Sequence, residues 1–291
     1  MADIVTALRS RVLVLDGGLG TLLESRGNDL SSALWSARLL RDEPDEVRSA
    51  HAEFFAAGAD VVITSSYQLS FGGPIDDDEV EALLARSVQL AREAGDGFVA
   101  ASVGPYGAAR ADGSEYRGDY GMDAGALASW HRRRLRVLAE AGADVLAVET
   151  IPCIEEVEAL AAELEGLGIP AWISLSAAST AFADSPRAET LLAEALQVAA
   201  SVPSVVAVGV NCCPPERVAS ALDLAPDGID LVAYPNSGES WDADARRWRG
   251  SPGIPPARAQ EWIADGARLI GGCCRTSPAD IADLAAAVHH S

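Results

Sequence analysis

The stretches Ala57-Gly58-Ala59-Asp60-Val61-Val62-Ile63-Thr64 and Ala141-Gly142-Ala143-Asp144-Val145-Leu146-Ala147-Val148-Glu149-Thr150 share one phrase, A-G-A-D followed by an apolar run. Asp265-Gly266-Ala267-Arg268-Leu269-Ile270 is a third, looser copy. In each, an amphipathic segment stops at a glycine and a short apolar run begins. A helix-to-strand joint that recurs along one chain marks repeated β/α units. Working outward, apolar runs of this kind stand at Val12–Leu15, Asp60–Thr64, Phe98–Val103, Asp144–Glu149, Ala171–Ser176, Val205–Val210, Gly228–Ala233 and Ala267–Ile270. They are continuous rather than alternating, which suits strands buried on both faces of a parallel sheet. Amphipathic segments lie between them at Pro44–Ala57, Asp78–Ala94, Asp123–Ala141, Glu155–Leu167, Ala188–Ala200 and Pro255–Ala264. Eight β/α units in 291 residues predict an α/β protein, a single (β/α)8 TIM barrel domain over residues 1–291.

A doubly wound sheet is the alternative. It would place a glycine-rich phosphate loop after the first strand. Asp16-Gly17-Gly18-Leu19-Gly20-Thr21 stands there, and the pattern fails at its last glycine. No linker rich in Pro, Gly or Ser divides the chain. The longest irregular stretches, Gly104–Gly121 and Tyr234–Pro256, both follow strands and so fall on the rim where barrels do their chemistry.

The formal net charge is −21, from 43 acidic and 22 basic residues. Phosphate backbones need clustered Lys and Arg, so nucleic acid is excluded as a partner, and anionic membrane surfaces are disfavoured. No apolar run reaches the roughly 18 residues of a bilayer span. Met1-Ala2-Asp3-Ile4 shows no basic n-region leading into an apolar stretch, so no secretory signal is expected. The five cysteines, Cys153, Cys212, Cys213, Cys273 and Cys274, are odd in number and include two adjacent pairs. That is a poor disulfide framework and fits a reducing cytoplasm.

The ends of the strands hold the polar residues. Asp16 and Gly17 follow the first strand, and Thr64, Ser65, Ser66, Tyr67 and Gln68 the second. Ser102 and Tyr106 follow the third, Glu149 and Thr150 the fourth, Asn211 and Cys212 the sixth, Tyr234 and Asn236 the seventh, Cys273 and Cys274 the eighth. A single cysteine is more often a buried structural residue than a ligand. Three at two strand ends of one barrel point instead to a soft metal ion, zinc, with one tetrahedral position left for a thiol reactant. Adjacent strand residues face opposite ways, so Cys273 and Cys274 share a metal only where Gly271 and Gly272 let the backbone leave strand geometry. None of the four histidines, His51, His131, His289 and His290, stands beside them.

Asp16 and Glu149 read as acid/base groups, metal ligands or binders of a substrate ammonium, against a turn or capping role for Asp16 and a strand-end ion pair for Glu149. The amides of Gly17 and Gly18 offer a place for the matching carboxylate. Ser65, Gln68, Asn211, Tyr234 and Asn236 complete the candidate substrate-facing set. The rings of Tyr67, Tyr106 and Tyr234 are candidates to hold a sulfonium by cation–π attraction.

Taken together, D-G-G-L-G-T at Asp16–Thr21, T-S-S-Y-Q at Thr64–Gln68, E-T-I-P at Glu149–Pro152, G-V-N-C at Gly209–Cys212, Y-P-N at Tyr234–Asn236 and G-G-C-C-R-T at Gly271–Thr276 resemble the homocysteine S-methyltransferases over nearly the whole chain. S-V-G-P-Y-G-A at Ser102–Ala108 and D-G-S-E-Y-R-G-D-Y at Asp112–Tyr120 resemble the branch that uses S-methylmethionine or S-adenosylmethionine more than the betaine-using branch. The resemblance implies a (β/α)8 barrel with catalytic zinc on Cys212, Cys273 and Cys274. It implies that Asp16, Gly17 and Glu149 hold the amino-acid end of homocysteine, and that Cys153 and Cys213 are not ligands. The expected reaction is direct methyl transfer from a sulfonium to the homocysteine thiol, giving methionine. No cobalamin or folate module fits the remaining length. A methyltransferase acting on another thiol or selenol, and a non-catalytic zinc or redox-sensing barrel, are the rival readings. Loss of the metal on oxidation would leave Cys212 bridged to Cys273 or Cys274.

Overall fold

The computed structural model describes residues 3–30, 35–110, 112–242, 247–249 and 253–289. Eight parallel strands form one sheet: β1 (Leu13–Val14), β2 (Val61–Ile63), β3 (Phe98–Val103), β4 (Val145–Ile151), β5 (Ala171–Leu175), β6 (Val205–Asn211), β7 (Asp230–Tyr234) and β10 (Ala267–Ile270). An antiparallel hairpin of β8 (Ser240–Asp242) and β9 (Arg247–Arg249) lies between the last two. The spatial order is β1, β10, β7, β6, β5, β4, β3, β2. A parallel bridge from Leu15 to Val61 joins the two ends and closes the barrel. Two hydrogen bonds reinforce that seam, from Asp60 N–H to the Val14 carbonyl (2.7 Å) and from Asp16 N–H to the Val61 carbonyl (3.0 Å).

The repeated joint has a mechanical role. Gly58 and Gly142 end their helices at φ 100° and 89°, a left-handed conformation that costs glycine nothing. The aspartate two residues on then clamps the neighbouring strand. Asp60 Oδ2 accepts from the Val14 amide (2.9 Å) and from Arg11 (2.8 Å). Asp144 Oδ2 accepts from the Val99 amide (2.7 Å) and from Arg92 (2.6 Å). The phrase A-G-A-D thus stops a helix and fixes where one strand starts beside the next.

The continuous apolar runs are explained by two buried layers. Leu13, Leu15, Val61, Ala100, Val145, Ala147, Trp172, Ala207, Val232, Tyr234 and Leu269 fill the barrel interior. Residues of opposite parity, such as Val14, Val62, Val99, Leu146, Ile173 and Val208, pack outward against the helices. Two large rings, Trp172 and Tyr234, are buried in the interior, with centroids 6.4 Å apart. The N-terminal helix Ile4–Ser10, capped by Asp3 on the Thr6 amide (2.8 Å), plugs the bottom with Ile4, Ala7 and Leu8.

All eight predicted strands are present within a residue or two of their expected ends. The irregular stretch Gly104–Gly121 contains a short helix, Tyr106–Arg110, and a 3-10 turn, Ser114–Tyr116. The stretch Tyr234–Pro256 contains the β8–β9 hairpin, and its residues 243–246 and 250–252 lie outside the described residues. The helices Leu19–Ser25, Trp35–Asp42 and Pro278–His289 add to those expected. No helix among the described residues is long and apolar enough to cross a membrane.

Candidate active site

A cavity of about 250 Å³ opens at the C-terminal ends of the strands. Asp16, Gly17, Gly18, Ser65, Tyr67, Gln68, Glu149, Cys212, Tyr234, Cys273 and Cys274 all line it. Ten of the twelve candidate site residues are in this set, with Asn211 and Asn236 behind it.

The thiols converge through backbone geometry. Cys212 leaves β6 at φ 47°, an uncommon value for a residue with a Cβ, and this turns its side chain out of strand alternation. The segment 271–274 is zipped to the loop after β7. Gly271 N–H donates to the Ala233 carbonyl (3.0 Å), Cys273 N–H to the Pro235 carbonyl (2.7 Å) and Ser237 N–H to the Cys274 carbonyl (3.1 Å). Asn236 Oδ1 accepts from the Cys274 amide (3.2 Å), so Asn236 braces the cysteine loop from outside the cavity. The ligand atoms of Cys212, Cys273 and Cys274 lie within 4.8 Å of one another. The sulfurs of Cys212 and Cys273 are in bonding contact, and the Cys274 thiol is free and exposed. Cys213 and Cys153 are buried thiols, pushed up to about 12 and further still by burial. Neither belongs to the sulfur cluster. Three sulfur ligands with no fourth side-chain ligand in the group among the described residues match an open soft-metal site in donor chemistry and number.

The same cavity is lined by two buried carboxyls, Asp16 and Glu149. Glu149 accepts a short hydrogen bond from Ser102 Oγ. Burial pushes its pKa up to about 7, against the pull of hydrogen bonds from Ser102 and Tyr234. Asp16 Oδ2 accepts from the Ile63 amide (2.9 Å), while Oδ1 is buried without a hydrogen-bond partner. Burial raises the Asp16 pKa well above the carboxylate range, opposed by the Ile63 amide and reinforced by the charge of Glu149. Two buried carboxyls that both resist ionisation, one with an oxygen lacking a hydrogen-bond partner, ionise at low cost only beside a cation or N–H donors.

The two glycines after β1 serve a close approach. A Cβ on Gly18 would stand 2.7 Å from the Cys273 carbonyl oxygen. The Gly18 amide already donates to the Thr276 carbonyl (2.9 Å), so it is not a free donor for a substrate carboxylate as the sequence suggested. Asn211 differs from expectation too. It points inward by strand parity, but its Oδ1 accepts from the Thr150 amide (2.8 Å) and its Nδ2 donates to Thr150 Oγ1 (2.8 Å). Thr150 is at φ 62°, an unfavourable conformation for a β-branched residue, and these two bonds hold it there beside Glu149. Replacing Asn211 by Ala leaves that buried amide unpaired, so a loss of about 1–3 kcal/mol in unfolding free energy is expected by denaturant titration.

Of the aromatic candidates, Tyr67 and Tyr234 line the cavity. The Tyr234 hydroxyl is shared among Ser174 Oγ (2.6 Å), Trp172 Nε1 (3.1 Å) and Glu149. Tyr106 lies outside, packed edge-on against Tyr120 and Trp130 at centroid distances of 5.1 Å. Sequence reasoning did not single out Glu115 and Tyr116, which also line the cavity. Their only signal is their place inside the D-G-S-E-Y stretch.

A parallel barrel whose cavity is lined by a three-thiol cluster and two buried carboxyls defines the class of thiol-handling α/β-barrel enzymes. The comparisons narrow it. The homocysteine S-methyltransferase family profile matches residues 13–288. The chain is 45% identical to homocysteine S-methyltransferase 4 of Zea mays, over 96% of this chain and 90% of that one. It is 40% identical to homocysteine S-methyltransferase YbgG of Bacillus subtilis, over 94% of each. The crystal structure of the homocysteine methyltransferase MmuM from Escherichia coli in its metallated form superposes with a TM-score of 0.83 at 40% identity, covering 97% of this chain and 98% of that one. The chain belongs to the homocysteine S-methyltransferase family.

Proposed function

We propose that this chain is a single homocysteine-binding barrel that transfers a methyl group from S-methylmethionine or S-adenosylmethionine to the thiol of L-homocysteine, giving methionine. The observation that carries the reading is that one cavity is lined both by three convergent thiols and by the Asp16 and Glu149 carboxyls. An amino-acid thiol has one group for each.

Cys212, Cys273 and Cys274 would hold zinc, which when bound lowers the pKa of a nearby thiol so that homocysteine is present as its thiolate near neutral pH. Asp16 and Glu149 bind the homocysteine ammonium. That cation removes the cost of ionising both carboxyls in a buried place and fixes the distance from the amino-acid end to the sulfur. Ser102 orients Glu149, and Asn211 orients Thr150 beside it. The cavity walls exclude water from the reacting sulfur. In the transfer, the homocysteine sulfur forms a bond to the methyl carbon while the bond from that carbon to the donor sulfur breaks. The bonding pair stays with the departing sulfur, which leaves as a neutral thioether and needs no protonation. The thiol proton has already gone to solvent. Positioning two reactants in line is the chain's main contribution to rate.

The test is an assay of reduced, zinc-loaded protein with homocysteine and each of S-methylmethionine, S-adenosylmethionine and betaine. With S-methylmethionine both products are methionine, so two appear per methyl transferred, and with S-adenosylmethionine one appears. No methionine from either sulfonium would overturn the reading.

A further inference from the structure

We propose that Glu115 and Tyr116 form the donor half of the cavity, with the Glu115 carboxylate taking the α-ammonium of an amino-acid sulfonium and the Tyr116 ring flanking its sulfonium centre. This rests on the methyl-transfer reading and adds to it the residues that choose the donor.

The charges in the cavity set the problem. Homocysteine brings one ammonium, and Asp16 with Glu149 forms one site for it. An amino-acid sulfonium brings a second ammonium, a sulfonium and a carboxylate, for a net charge of +1. It needs a second anionic partner away from the first. Glu115 is that partner. It reaches the cavity from the 3-10 turn Ser114–Tyr116 rather than from a strand end. Its Oε2 is buried and has no hydrogen-bond partner among the described residues. A buried, unpaired carboxylate oxygen is costly unless a ligand completes it.

The turn is held in place as a binding element must be. Asp112 Oδ1 accepts from the Ser114 amide (3.0 Å), and the Gly118 amide donates to the Ser114 carbonyl (3.0 Å). The backbone of Glu115 lies so close to the helix Tyr106–Arg110 that a Cβ on Gly107 would stand 2.3 Å from its nitrogen. Beneath, buried Arg134 donates to the Leu69 and Gly104 carbonyls and so ties the loop after β2, which carries Tyr67, to the loop that leads to this turn.

Tyr116 gives a second, independent sign. It is 38% exposed, the one large hydrophobic side chain left exposed among the described residues, and it stands at the cavity within electrostatic reach of Cys274. Tyr67 lines the same cavity and also feels the charge of Glu115. Two rings and a bare carboxylate beside the thiol cluster match a methylated cation that also carries N–H groups. Betaine has a cationic centre but no N–H, so it would leave the Glu115 hydrogen-bonding capacity unused.

The test compares two sulfoniums that differ only in the amino group, S-methylmethionine and 4-(dimethylsulfonio)butanoate, on zinc-loaded wild type, Glu115→Gln and Tyr116→Leu. In Glu115→Gln, kcat/KM for S-methylmethionine is expected to fall by about 10–100-fold, the scale of a lost charge-assisted hydrogen bond. The deaminated donor should be unaffected, as should KM for homocysteine and metal content. In Tyr116→Leu both sulfoniums should suffer alike. An equal fall with both donors in Glu115→Gln, or no fall with either, overturns the proposal. Calorimetric binding of S-methylmethionine to the same proteins separates the two levels. Binding lost in Glu115→Gln, with no turnover even in wild type, sinks the methyl-transfer reading and keeps the subsite. Binding and turnover both intact in Glu115→Gln sink the subsite alone.

Discussion

Cys273→Ala is expected to lose metal and methyl transfer together while the barrel stays folded. The residue sits beyond β10, and apart from the sulfur contact with Cys212 its ties are main-chain ones, such as the amide hydrogen bond to the Pro235 carbonyl, which alanine keeps. What disappears is one of three thiols in a group that has no spare. Cys213 does not substitute, because it lies fully buried in the outer hydrophobic layer and burial holds its thiol protonated, at about 12. Cys212 and Cys274 alone make a two-ligand site, too few for a retained zinc. The activity loss should exceed the roughly 10–100-fold typical of removing a partner one shell further out. Metal analysis, turnover and a thermal melt on the same preparation check this. Normal metal content with full activity would remove Cys273 from the site.

Glu149→Gln is expected to do two opposite things, raising stability in mildly alkaline solution and weakening homocysteine binding. Burial moves the Glu149 pKa from its ordinary 4.5 to about 7. Between those values the folded protein binds a proton that the unfolded chain has released, so stability falls as pH rises through this window and levels off above it. Glutamine cannot ionise, and its amide oxygen can still accept from Ser102. At pH 8 the variant should therefore be more stable by on the order of 2–3 kcal/mol, an advantage that fades by about pH 4. Homocysteine affinity should drop by about 10–100-fold, since the ammonium loses a charged acceptor. In the wild type the same titration makes KM for homocysteine rise as pH falls below about 7. Melting curves at pH 5 and pH 8, with KM measured across the same interval, give both signs. A variant that is no more stable at pH 8 than at pH 5, relative to wild type, contradicts the assignment of Glu149 as the buried proton-holding carboxyl.

The parts of this architecture that could be read in the sequence are those governed by local rules. Each strand had a continuous apolar run because both its faces are buried, and the two A-G-A-D joints had a glycine and an aspartate because a helix must stop and a neighbouring strand must be clamped. Cys212, Cys273 and Cys274 stood out because three thiols at two strand ends of one barrel suit a soft metal ion. What stayed hidden depended on long-range pairing. Asn211 looks like a cavity residue by parity, and only the contorted backbone of Thr150, 61 positions away, shows where its amide goes. The Gly18 amide looks free until the Thr276 carbonyl is placed against it. Glu115 sits in a stretch with no periodicity, and it becomes a site residue only because its turn folds back over the barrel mouth. Tyr106 had the right position in the chain but packs into a cluster of rings on the outside.

The seam between β1 and β2 bears on how this enzyme can vary. Asp16 closes the ring with its main-chain N–H and, through its side chain, holds the Ile63 amide, while its remaining oxygen is buried without a hydrogen-bond partner. One residue is thus both the clasp of the scaffold and part of the proposed recognition surface. Any exchange at this position changes architecture and specificity at once, so a defect there has no single interpretation. Glu149 and Glu115, whose side chains hold no amide at the β1–β2 seam, are where new acceptors and donors can be explored without loosening that seam.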